Sequence, residues 1–231
     1  MSPRAIIRTS GWGRTPPAVV LAGFSRTREC AGYNRLGMAS PGHLALTPEI
    51  DDFRRQFERV AIDADALVSP LTDVQFNWRP APGNWSVAEC LEHLNTTARL
   101  YLPSLDEGVA DAIRRGLYAE GPFAYNWIGR LFVRATEPPA RFRMRAPRAF
   151  HPAAARPRHE ILAAFRAYQV QFVDRLRQAN GLDLARARVS SPASRWIRLP
   201  LGSAFAVMAA HQRRHLSQAQ RVTAAPAFPS G

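Results

Sequence analysis

The chain reads as an all-α protein, a four-helix bundle with a long irregular connection between its second and third helices. Three observations predict this. Four stretches place apolar residues at spacings of three and four, the repeat of one helix face. Their ends coincide with capping residues, proline or glycine. No stretch shows a convincing strand alternation, and there is no internal repeat.

The first helix begins at Thr47-Pro48-Glu49, where Thr suits an N-cap, Pro the first helical position and Glu the positive end of the dipole. Ile50, Phe53, Phe57, Val60, Ala64, Leu67 and Leu71 form its apolar stripe, and Pro70 marks its end. After a Trp- and Pro-rich loop, Gln75 to Trp85, the second helix is announced by a capping box, Ser86 with Glu89 three residues on. Trp85 and Cys90 flank this box as a candidate hydrophobic staple. The stripe is Val87, Leu91, Leu94, Ala98, Leu102 and Leu105, with His93 at its edge.

Residues 116–156 are the least regular part of the body, apart from an apolar stretch, Phe123 to Val133, that can be helical. Within them Arg141, Arg143, Arg145 and Arg148 alternate with Phe142, Met144 and Ala146. That pattern suits an exposed basic segment, or a contact for an anionic ligand. The third helix spans Pro157 to Gln178 on Ile161, Phe165, Tyr168, Phe172 and Leu176, and Asn180-Gly181 stops it. A loop with Pro192 and Pro200 leads to the fourth helix, Ala204 to Val222.

This body, residues 47–222, is expected to follow a disordered extension, 1–46, and to precede a short tail, 223–231. The extension is broken by repeated Gly and Pro and has no sustained period. Met38 is a plausible natural start, which would leave residues 1–37 outside the native protein. The formal charge of +13 would ordinarily raise nucleic acid as a partner. All 31 basic residues are Arg, however, the bias of a GC-rich coding sequence, so nucleic acid is not the expected partner. No apolar run approaches the roughly 20 residues a membrane-spanning helix needs. Two cysteines, Cys30 and Cys90, are too few for a disulfide framework, and a cytoplasmic location is the simplest reading.

The chemistry is concentrated on the fourth helix. Ala204, Met208, His211, His215, Ala219 and Val222 share one face, whereas Arg213, Arg214 and Arg221 lie off it and can be solvated. Imidazoles at i and i+4 can grip one metal ion from a single helix. His93 would complete a three-nitrogen set with an open position, the pattern of a catalytic or substrate-binding metal. Neutral imidazole suits Zn, Ni, Fe or Co alike. Spacing alone leaves open two ordinary core histidines and an unrelated third. A zincin-type protease needs Glu after the first His of the pair, and Gln212 cannot serve as that base. Cys90 suits a small core residue better than a ligand or redox thiol, and His43, His151 and His159 lack partner spacing.

Three separated elements then resemble the DinB-like superfamily of metal-binding four-helix bundles. These are Trp78-Arg79-Pro80-Ala81-Pro82-Gly83; Trp85 to Glu89 running into Leu91-Glu92-His93-Leu94; and Ala210 to Gln218. The resemblance implies that His93, His211 and His215 are the metal triad. It also implies chemistry with a low-molecular-weight thiol such as bacillithiol, mycothiol or glutathione. The expectation is therefore a divalent-metal-dependent thiol transferase acting on a small-molecule substrate, with a homodimer as a possible assembly. A metal- or ligand-binding bundle without turnover is the alternative.

Overall fold

Four long helices supply more than half of the residues described by the computed structural model, which are 45–125, 127–138, 147–152 and 156–230. They are α1 (Pro48–Val68), α3 (Val87–Arg114), α5 (Arg158–Gln178) and α6 (Leu201–Thr223). Two shorter helices, α2 (Asp73–Asn77) and α4 (Trp127–Thr136), bring the described total to six. The described residues belong to one compact unit, Leu44–Gly231. Most of the expected extension, and Arg141 to Ala146 of the basic segment, lie outside the described residues.

The purely helical expectation is corrected by a two-stranded hairpin, β1 (Arg188–Ser191) and β2 (Ser194–Pro200). The strands are antiparallel, with Val189 opposite Leu199. Strands of 4 and 7 residues are too short to register as a period, and their apolar content is thin. Gly108 of α3 admits this hairpin, because a Cβ there would lie 2.8 Å from Val189 Cγ2 and 2.9 Å from the Arg188 carbonyl oxygen. Helix α2 had a readable signal in hindsight. Thr72 and Gln75 form a reciprocal capping box, at 3.2 and 2.9 Å.

Each long helix packs against two others. Helix α1 contacts α5 and α6, and α3 contacts the same two. Their apolar stripes meet in two clusters. One centres on Phe57 stacked against Phe172, ring centroids 4.8 Å apart, and includes Leu105 and Phe205. The other gathers Phe76, Leu91, Phe165 and Leu216. Between them, along α3, α5 and α6 in turn, lie buried Thr97, Gln169 and Gln212. Polar interdigitation of this kind divides the core into two layers, and the histidines sit on α3 and α6 near that division.

Side chains tie the frame together at its ends. Asn180 accepts from the Thr47 backbone N–H at 2.9 Å and donates to the Ala45 carbonyl at 3.2 Å, holding the start of α1 to the end of α5. Thr47 makes no side-chain cap bond, contrary to its sequence reading. Arg158 instead caps the far end of α1, donating to the carbonyls of Leu71 and Val68. Arg175 forms a bidentate pair with Asp106 of α3, at 2.8 and 3.0 Å. Beyond α6, Phe228 packs edge-on against Trp78, and Gln75 donates to the Pro229 carbonyl at 2.8 Å.

Candidate metal centre

The position of His93 follows from how α3 begins. Ser86 Oγ accepts from the Glu89 backbone N–H at 3.1 Å, and the Glu89 carboxylate accepts from Ser86 N–H at 3.0 Å. Arg79 reaches back from the preceding loop to pair with the same carboxylate, at 2.8 and 2.5 Å. Burial raises the Glu89 pKa, but Arg79 and the Ser86 N–H outweigh it and hold the carboxyl below its usual range. The first turn is thereby fixed, and His93 follows on the edge turned toward α6.

Helix α6 is placed differently. It has no side-chain cap. Its first amides are satisfied by the chain that precedes the hairpin, Leu201 N–H by the Ala187 carbonyl at 2.9 Å and Gly202 N–H by the Leu184 carbonyl at 3.1 Å. Arg213 donates to Glu137 and, at 2.8 Å, to Gln56, while Arg214 donates to the Ala135 carbonyl at 2.9 Å. These two arginines are therefore not merely solvated, as their position off the apolar face suggested. They bind α6 to the end of α4, and Arg213 also to α1.

This arrangement brings His93, His211 and His215 together. One nitrogen from each can be chosen so that all lie within 4.8 Å of one another. The ring centroids are 4.4 Å apart for His93–His215, 4.6 Å for His211–His215 and 5.1 Å for His93–His211. His93 and His215 are buried, and His211 is half-buried. His93 Nε2 and His211 Nε2 are 3.3 Å apart, which matches the edge of about 3.3 Å between nitrogens bound tetrahedrally at roughly 2.0–2.1 Å from zinc.

Electrostatics favour the neutral, ligating form of each ring. Burial lowers the pKa of His93, opposed by the hydrogen bond to the Phe150 carbonyl and helped by the neighbouring His151. Burial also lowers those of His211 and His215, helped by the neighbouring imidazoles and the Arg214 charge. Outer contacts orient two of the rings. His93 Nδ1–H donates to the Phe150 carbonyl at 2.5 Å, and His215 Nδ1–H donates to Gln218 Oε1 at 3.0 Å. The half-buried Trp85 lies over the cluster, its ring centroid 4.8 Å from His93 and 5.7 Å from His215. Trp85 is thus a lid on the imidazoles as well as a neighbour of the helix cap.

Other candidates do not join the cluster. Cys90 is fully buried in the apolar core, and burial pushes its thiol up to about 12, so it is inert at neutral pH. Gln212 is buried, and its Oε1 has no hydrogen-bond partner among the described residues. His151 and His159 are exposed, and His43 lies outside the described residues. Arg148 lies in the single 3₁₀ turn, Arg148–Phe150, whose last residue carries the carbonyl that orients His93. Sequence reasoning missed Phe150, Gln218 and the lid role of Trp85. Gln218 was legible as the i+3 neighbour of His215 on one helix face, whereas nothing local marks Phe150.

Fold and site together define a mostly helical protein with a buried three-histidine cluster compatible with a metal ion. The chain belongs to the DinB superfamily, whose sequence model matches residues 56–219. That span includes all three histidines, Trp85, Phe150 and Gln218. No curated protein and no solved structure matches the chain.

Proposed function

We propose that the protein is a divalent-metal-dependent enzyme of the DinB type, a four-helix bundle acting as a thiol-dependent transferase on a small-molecule substrate. The observation that supports this most is the convergence of His93, His211 and His215, with two of the three rings oriented from outside. Three protein nitrogens leave a position for an exogenous ligand. A bound divalent metal would supply a Lewis acid that favours the thiolate form of a low-molecular-weight thiol. The chain's own part is to hold neutral imidazoles in place and, through the Trp85 ring, to limit water at the cluster. The thiol is external in this reading, because Cys90 is sealed and protonated.

A metal-binding helical protein without turnover is the second reading, and one observation favours it. Three described groups that contact the imidazoles from outside are the Trp85 ring, the Phe150 carbonyl and the Gln218 amide, and His151 acts on His93 electrostatically. None of these three contacting groups serves as a general acid or base near neutral pH. Metal analysis of the purified protein beside the His211→Ala/His215→Ala double variant tests the triad. Near-stoichiometric metal in the wild type and none in the variant is expected, and full occupancy of the variant would refute the site. Turnover of a chromogenic electrophile across bacillithiol, mycothiol and glutathione then separates enzyme from binder, with inactivity toward all three favouring the second reading.

A further inference from the structure

Helices α4 and α6 flank an open cleft of about 400 Å³, and none of the three histidines lines it. Its apolar walls are Gly129 and Val133 of α4, Ala206 of α6 and the Tyr125 ring. That volume lies toward the small end of ligand clefts, which span about 300–1,000 Å³. Both ends of the cleft are fastened. At the start of α4, Tyr125 donates its hydroxyl to the Glu49 carboxylate, and Arg130 donates to the Tyr125 carbonyl at 3.2 Å. The Tyr125 ring has room because Gly202 lacks a side chain, since a Cβ there would lie 1.9 Å from the hydroxyl oxygen. At the far end, Arg213 and Arg214 of α6 bind Glu137 and the Ala135 carbonyl.

The polar groups left over in the cleft all suit an anion. Ser203 lines it and is only 3% exposed, yet its hydroxyl makes no hydrogen bond to a described residue. Arg134 also lines it, and its side chain has no hydrogen bond or ion pair among the described residues. Arg130 and Arg134 stand one turn apart, a like-charge pair that disfavours the helix until an anion offsets it, and residues 127–136 contain no acid. The two acids that fasten the cleft, Glu49 and Glu137, are occupied by Tyr125 and Arg213. We infer that this cleft binds a small carboxylate with a mainly apolar body. The body lies against Val133, Ala206 and the Tyr125 ring. Arg130 and Arg134 supply the opposing charge, the free Arg134 fork presenting the paired donors that a carboxylate fills, and Ser203 offers one further hydrogen bond. The inference stands apart from the metal reading, Ser203 lying about 12 Å ahead of His211 along α6.

Isothermal titration of the full chain with octanoate tests this, with 1-octanol and acetate as probes that each lack one half of the ligand. Octanoate is expected to bind saturably at one site, and the other two at least about 10-fold more weakly, the loss that follows when a charged hydrogen bond goes unmade. Arg134→Gln, at an exposed position, should weaken octanoate by a similar factor, and Ala206→Leu, which fills the cleft, should abolish binding. Chelator-treated and zinc-loaded protein should bind octanoate equally, whether or not zinc occupies the histidines. Absence of saturable binding, equal affinity for 1-octanol, or unchanged affinity in either variant overturns the inference. An affinity that changes with zinc also overturns it, because the carboxylate would then sit at the histidine cluster.

Discussion

Outer contacts hold two of the three imidazoles, and they organise the centre residue by residue. Phe150 and Gln218 satisfy the outer nitrogens of His93 and His215, while Trp85 covers the two rings. The lid makes a testable difference. Trp85→Ala removes ring contacts with both histidines and should release zinc to a competing chelator several-fold faster than wild type, at a stability cost of about 2 kcal/mol because the side chain is only half-buried. Trp85→Phe, which keeps a ring face, should restore most of the slow release. Stopped-flow exchange with a chromogenic chelator measures both.

At the scale of elements, α3 is held at one end by charge and in its second half by shape. Glu89 receives the Ser86 N–H and the Arg79 guanidinium, which together keep its carboxyl below the usual range despite burial. A carboxyl lowered on folding stabilises the fold above its unfolded value, near 4.3, and that stabilisation is lost as pH falls through the folded value. Glu89→Ala should therefore cost about 1 kcal/mol at pH 7, and the difference from wild type should shrink progressively as urea melts are taken to acid pH, below the ordinary carboxylate range. Farther along, Gly108 faces the hairpin. Alanine would gain about 1 kcal/mol of helix propensity there, but its Cβ would meet Arg188 backbone at 2.9 Å, which cannot rotate away. Overpacking costs of about 1–3 kcal/mol should win, so Gly108→Ala should lower the thermal midpoint despite the better helix former.

For the whole molecule, the histidine cluster joins two of the long helices, α3 and α6, and both of these pack on α5. No helix among the described residues is long and apolar enough to cross a membrane. A metal that binds only the folded chain should add stability by mass action, about 2.7 kcal/mol when free zinc is 100 times its dissociation constant. Differential scanning calorimetry should show the midpoint rising with zinc in the wild type and unmoved in His211→Ala/His215→Ala. An equal rise in both would place the zinc elsewhere.

The sequence by itself determined the long helices and the three histidines. The 3.6-residue repeat of Ile161, Phe165, Phe172 and Leu176, and the Ser86–Glu89 capping box, are local signals whose energetics act within a few turns. His211 and His215 share a face for the same reason, and the motif around His93 linked that helix to them. What the tertiary structure decided is everything whose partner lies far away in sequence. The hairpin is made of strands too short to show a period, and it holds together by packing on α3. His93 Nδ1 meets a carbonyl 57 residues on, and its Nε2 meets a ring 118 residues on. Such contacts follow from where the helices dock, and docking depends on the fit of whole apolar faces.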